Sequence, residues 1–222
     1  MTDPPRLQAL IVDYGGVLTA PLEQTLQAWY DAEDLEPADV RRVLEEAARP
    51  ATGPDGQPGV SPVHALERGE LDLPEFEQLL ADRLRTRAGG RVVADGLLRR
   101  MLGGFGEQSE MIRVVRRARA SGLRTGLLSN SWGLDYPREA WPEMFDTVVI
   151  SGEVGLRKPE PEIYLLTADR LGVSPEHCVF VDDLGPNVRA AEQVGMTGIR
   201  HVDPARTIAE LATHFRLDLA VA

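Results

Sequence analysis

Residues 7–16 read Leu-Gln-Ala-Leu-Ile-Val-Asp-Tyr-Gly-Gly. A short apolar run stopped by an acidic residue and two glycines has the form of a buried parallel strand and its turn. Four later stretches repeat that form. Leu123–Leu128 runs into Ser129 and Asn130, Thr147–Ile150 into Ser151 and Gly152, and Cys178–Val181 into Asp182 and Asp183; Thr197–Val202 is the last. Helical spacing of apolar residues fills the intervals, over Ser109–Ala120, Pro159–Leu171, Gly185–Val194 and Pro204–Phe215. Strands alternating with helices predict an α/β fold built on a doubly wound, Rossmann-like parallel sheet.

The alternation breaks once. Between the first strand and the second the patterns are all helical, at Leu22–Glu33, Pro37–Ala48, Val60–Arg68, Pro74–Ala88 and Asp95–Met101. Leu22, Leu26 and Trp29 fall on one helical face, so Trp29 is read as core. Residues 52–59, rich in Gly and Pro, read as a loop. The expected organisation is a core of residues 1–20 and 104–222, interrupted by an inserted α-helical cap at 21–103.

Composition agrees with this plan. A chain of 222 residues suits one core and an insert, and 43% hydrophobic with 27% charged residues is ordinary for a globular protein. The single cysteine, Cys178, sits inside an apolar run and is read as core filler. A net charge of −11 argues against a nucleic-acid surface and against an anionic membrane. No apolar run is long enough to span a bilayer, and residues 1–6 lack a signal-peptide pattern. A cytoplasmic location is expected, as monomer or homodimer. Of the 24 basic residues only Lys158 is a lysine, in a chain whose Ala, Arg, Gly and Pro richness depletes lysine everywhere.

In a doubly wound sheet, chemistry gathers at the carboxyl ends of the strands. There the sequence delivers Asp13, Ser129 with Asn130, and Asp182 with Asp183. Lys158 follows the third strand, where Pro159 is expected to open a helix. Any one of these is ordinary as a turn former or cap. Together they are complementary. Converging carboxylates resist joint ionisation unless a cation lies between them, and Mg²⁺ takes oxygen ligands of this kind. A hydroxyl, backbone N–H groups and an ammonium would then suit phosphate oxygens.

Four segments, in order, resemble the motifs of the haloacid dehalogenase superfamily, most of whose members are phosphatases. They are Asp13-Tyr14-Gly15-Gly16-Val17-Leu18, Leu128-Ser129-Asn130-Ser131-Trp132, Arg157-Lys158-Pro159-Glu160-Pro161-Glu162-Ile163-Tyr164 and Val181-Asp182-Asp183-Leu184-Gly185-Pro186-Asn187-Val188. The helical insert is similar to the family's first type of cap. Leu66-Glu67-Arg68-Gly69-Glu70-Leu71 and Trp141-Pro142-Glu143 resemble two groups within it, the N-terminal phosphatase domain of soluble epoxide hydrolases and a bacterial sugar-1-phosphate phosphatase group.

The resemblance implies a hydrolase of small phosphorylated metabolites, sugar phosphates among them. It implies that Asp13 attacks phosphorus to form an aspartyl-phosphate. Mg²⁺ would be held by Asp13, the Gly15 carbonyl, Asp183, and Asp182 directly or through water. Ser129 and the Asn130 amide would hold phosphoryl oxygens, and Lys158 would bridge nucleophile and phosphate.

One position departs from the pattern. The family's usual phosphatase motif has a second aspartate, the general acid and base, where this chain has Gly15, as the sugar-1-phosphate phosphatase group it resembles also does. Three explanations stand: a substrate with a good leaving group, such as a sugar-1-phosphate or acyl phosphate; a proton from Tyr14, His64 or Glu67; or a catalytically weak phosphometabolite-binding or regulatory protein. Metal-independent dehalogenation uses the same nucleophile, and the Asp182-Asp183 pair argues against it.

Overall fold

A computed structural model of the chain describes residues 6–50, 59–104 and 106–219. Its sheet has five parallel strands in the order β3-β2-β1-β4-β5. These are β1 (Ala9–Val12), β2 (Arg124–Ser129), β3 (Thr147–Ile150), β4 (Cys178–Asp182) and β5 (Thr197–Arg200). The central strand, β1, is buried at every residue, which is why it reads as continuous apolar sequence. Strand order turns back at β1, so the ends of β1, β2 and β4 face one crevice.

Alternate residues of the sheet face two apolar clusters. Leu10, Val12, Leu127 and Val181 pack with α6 (Ser109–Ala120) and α11 (Pro204–Phe215) on one side. Ala9, Ile11, Leu128 and Phe180 pack with α9 (Pro161–Leu171) and α10 (Gly185–Gln193) on the other. Between β1 and β2, ahead of α6, lie α1 (Leu22–Ala32), α2 (Pro37–Ala48), α3 (Pro62–Arg68), α4 (Leu73–Arg83) and α5 (Leu97–Leu102). They share a third cluster around Trp29, Phe76, Leu80 and Leu97. Trp29 is core, as its spacing predicts; the Leu22 side chain and the 52–59 loop, save Gly59, lie outside the described residues. Where the chain leaves and re-enters the sheet, Thr19 and Glu107 form an antiparallel bridge. Among the described residues no helix is long and apolar enough to cross a membrane.

Two elements differ from the sequence expectation in an instructive way. The helix after β3 starts at Pro161, not at Pro159. Proline restricts the residue before it to extended backbone, and Glu160 is extended at φ −66°, ψ 133°. Lys158 therefore lies on a loop ahead of the helix. The helix expected over Pro74–Ala88 ends at Arg83, because 85–91 fold back through Gly89 (φ 81°) into an Arg85–Arg91 bridge. Two four-residue helices, α7 (Trp141–Met144) and α8 (Ser151–Val154), are too short to leave a period in the sequence.

Candidate functional site

Asp13 is the first residue beyond β1, tied into the sheet by its N–H to the Val181 carbonyl at 2.9 Å. Its Oδ1 accepts from the Tyr14 N–H at 2.7 Å. The turn then needs glycine at one place. Gly16 has φ 70°, and a Cβ there would lie 2.5 Å from Asp183 Oδ2. Gly15 is different: a Cβ would meet nothing within 4 Å. Gly16→Ala is accordingly expected to displace the Asp183 carboxylate and to destabilise the fold by on the order of 1 kcal/mol. Melting in chelator would register the strain, and a raised divalent-ion requirement for activity would register the displaced carboxylate.

Lys158 reaches under Asp13. Its side chain is 1% exposed, with Nζ 2.8 Å from Asp13 Oδ1 and 2.6 Å from Asp182 Oδ2. Burial disfavours its charge, but Asp13 and Asp182 outweigh burial and raise its pKa above the ordinary lysine value. Asn130 fixes this lysine from the backbone. Its Nδ2 donates to the Lys158 carbonyl at 3.1 Å, and its Oδ1 accepts from the Lys158 N–H at 2.9 Å. The Asn130 side chain thus holds the lysine.

Asp182 is fully buried and its oxygens are shared. Oδ1 accepts from the Leu184 N–H at 2.8 Å and from Asn187 Nδ2 at 3.1 Å; Oδ2 accepts from Lys158 and, at 3.1 Å, from the same Asn187 nitrogen. Asp183 is half-buried, and burial, then Asp182, raise its pKa. For Asp13 burial dominates and Lys158 opposes it, with Asp182 and Asp183 adding to burial; the outcome is a carboxyl pushed up to about 8. Oxygens of Asp13, Asp182 and Asp183 lie within 4.8 Å of one another. Three carboxylates facing one ammonium leave an excess of negative charge, and an all-oxygen donor set of this kind fits a hard divalent cation.

These groups surround a cavity of about 350 Å³. Asp13, Gly15, Ser129, Asn130, Lys158 and Asp183 line it, whereas Asp182 sits behind Lys158. Three residues join the site without having been singled out by the sequence. Tyr136 places its hydroxyl 3.0 Å from Ser129 Oγ and stacks edge-on against Tyr14 at 5.1 Å. Burial pushes its phenol up to about 12. Asn187 lies in the first turn of α10, five residues after Asp182, where a turn of helix returns it to that carboxylate. Arg157 Nε pairs with Glu67 Oε2 at 2.5 Å, joining α3 to the Lys158 loop; Arg68 pairs with Glu160 beside it. Of the three alternative proton sources, Tyr14 and Glu67 line the cavity and His64 does not. Tyr14 is raised by burial, and Glu67, also raised by burial, is already bound to Arg157.

Comparison with known proteins points in one direction. A family model described as a haloacid dehalogenase-like hydrolase matches residues 7–195. Bifunctional epoxide hydrolase 2 of Sus scrofa is 27% identical over 221 residues, covering 92% of this chain and 38% of its own length. A phosphatase of Mycobacterium tuberculosis is 29% identical over 200 residues, covering 86% of this chain and 85% of its own. A HAD family enzyme from Bacteroides thetaiotaomicron, solved with magnesium and inorganic phosphate, superposes with a TM-score of 0.62 at 18% identity, covering 87% of this chain and 93% of that one. The mammalian relatives are longer: the chain spans only 19–38% of their length.

Proposed function

The chain belongs to the haloacid dehalogenase-like hydrolases, and from that premise we propose that it is a Mg²⁺-dependent phosphatase acting on a small phosphorylated metabolite through an aspartyl-phosphate on Asp13. The observation that carries this reading is Lys158, the chain's one lysine, buried between Asp13 and Asp182. A compact point charge suits a place where nucleophile and phosphate must both be neutralised. Mg²⁺ would be held by Asp13, Asp183 and the Gly15 carbonyl, with Asp182 contributing through water. When bound, the ion would supply charge neutralisation for the phosphoryl oxygens.

The protein groups divide the rest. Asp13 Oδ1 is held by Lys158 and the Tyr14 N–H, so attack falls to Oδ2. Ser129 Oγ, oriented by Tyr136, donates to a phosphoryl oxygen, and the Asn130 main-chain amide does the same. Asp182 and Asn187 keep Lys158 in place. Helices α1 to α5, within residues 21–103, serve as the cap over a core of 1–20 and 104–222. Bonding runs in two steps: Asp13 to phosphorus as the ester P–O bond breaks, then water to phosphorus as Asp13 is released. Acid quenching during turnover should leave one phosphoryl group on the peptide containing Asp13. Turnover with that group on Ser129 instead would refute the assignment.

Gly15 supports a second reading, a phosphometabolite-binding protein with weak turnover. The missing carboxylate would have protonated the leaving oxygen, a contribution of about 10²–10⁴-fold. Room for it exists, since a Cβ at Gly15 meets nothing. Gly15→Asp is therefore expected to fold and to raise hydrolysis of simple alkyl phosphates by at least about 10²-fold. A folded variant with no gain would contradict the missing-acid account.

A further inference from the structure

Away from the carboxylates, the cavity wall is apolar. Leu102 of α5, Trp132, Leu134, Tyr136 and Pro137 from the segment after β2, and Leu184 ahead of α10 form it. Its aromatic members are braced: Trp132 meets Phe76 edge-on at 6.4 Å, and Tyr136 meets Tyr14 at 5.1 Å. Leu184 is 55% exposed at the mouth. Among the described lining residues Lys158 is the one cation, against Asp13, Glu67, Asp135 and Asp183. A second anionic group on the substrate would find repulsion there. The side-chain amides of Asn130 and Asn187 are spent on Lys158 and Asp182, so neither serves a substrate hydroxyl.

The chemistry at Gly15 adds an independent constraint. With no side chain there, the leaving oxygen departs without a proton from that position. An alkanol resembles water, whose pKa is about 16, and leaves poorly as an anion. A phenol ionises near 10 and leaves far more readily.

Building on the phosphatase reading, we propose that the substrate is a phosphomonoester carrying a single phosphoryl group on an apolar aromatic leaving group, a phenol. The Asp13 Oδ2–P bond forms and the P–O(aryl) bond breaks. The electron pair leaves with the phenolate, which takes its proton from solvent. The ring lies against Trp132 and Leu134, with Leu184 at the entrance.

The test compares kcat/KM for phenyl phosphate, a hexose 1-phosphate and glycerol phosphate, all with Mg²⁺. Phenyl phosphate should exceed the hexose ester by on the order of tenfold or more, the yield of burying one ring against this wall. Trp132→Ala should lower that ratio, chiefly through KM for phenyl phosphate, leaving the part set by the acidity of the phenol. A ratio taken within one variant does not depend on its folded fraction. Leu184→Ser, at an exposed position, provides a second variant in which the ratio should fall. Across substituted phenyl phosphates, log kcat/KM should fall steeply as the phenol becomes less acidic, and Gly15→Asp should flatten the slope. A hexose ester hydrolysed as well as phenyl phosphate, or a ratio unmoved in both wall variants, would overturn the proposal while leaving a phosphatase. No hydrolysis of any ester would overturn the phosphatase reading itself, and this proposal with it.

Discussion

Asp13→Asn is expected to reduce phosphate release by on the order of 10⁴-fold or more, with the protein still folded. The substitution keeps an oxygen for the Tyr14 N–H and for Lys158, both of which contact Oδ1 in the wild type. It removes the nucleophilic oxygen, and with it the charge that Asp13 offers Lys158. Stability should respond to pH in a specific direction. Burial, then neighbouring carboxylates against the pull of Lys158, raise Asp13 from 3.8 to about 8 in the metal-free site. A raised carboxyl binds its proton more tightly in the folded state. Its contribution to stability is therefore complete below about pH 4 and is lost as pH rises through about 8. The Asn variant has no such group, so in chelator its melting temperature should fall less than wild type over that window. Equal pH profiles would contradict the burial account, and retained activity would remove Asp13 from the mechanism.

Lys158→Met is expected to have the largest effect on stability. It would leave Asp13 and Asp182 facing each other in a site where Lys158 is 1% exposed and Asp182 is fully buried. Breaking a buried ion pair from one side costs about 3–5 kcal/mol. Loss of transition-state stabilisation should take activity down by on the order of 10²–10³-fold in the molecules that remain folded. Lys158→Arg should not rescue it, because the planar fork must displace either Asn187 or the Asp13 contact. A double variant, Lys158→Met with Asp182→Asn, removes one orphaned carboxylate and should recover stability without activity. Melting in chelator and phosphate release measured on the same preparations separate the two effects. An Arg variant of wild-type activity would overturn the role given to the compact ammonium.

Much of this was legible in sequence because buried parallel strands are continuous apolar runs, and their ends carry the chemistry. Asp13, Ser129, Lys158 and Asp183 all reach one cavity from separate elements. What sequence could not supply was division of labour among polar atoms. Sequence offers Asn130 for phosphate and Asp182 for the metal, yet the Asn130 side chain clasps the Lys158 backbone and Asp182 shares both oxygens with Lys158, Leu184 and Asn187. Tyr136 was invisible because it stands in an irregular segment with no period and no motif; only the fold brings it to Ser129. α9 starts two residues after the first proline that suits a helical turn, because Pro159 and Pro161 both suit one and the restriction on Glu160 decides between them. The apolar wall is assembled from α5, the segment after β2 and the loop before α10, three regions that no local pattern connects.

The most direct test of the central claim is inorganic phosphate release from a panel of phosphomonoesters, measured with Mg²⁺, with chelator, and after Mg²⁺ is restored. The predicted result is hydrolysis that chelation abolishes and Mg²⁺ recovers, absent from Asp13→Asn throughout. Hydrolysis that survives chelation, or phosphoester binding to the Mg²⁺-loaded wild type with no phosphate released from any ester, would contradict it.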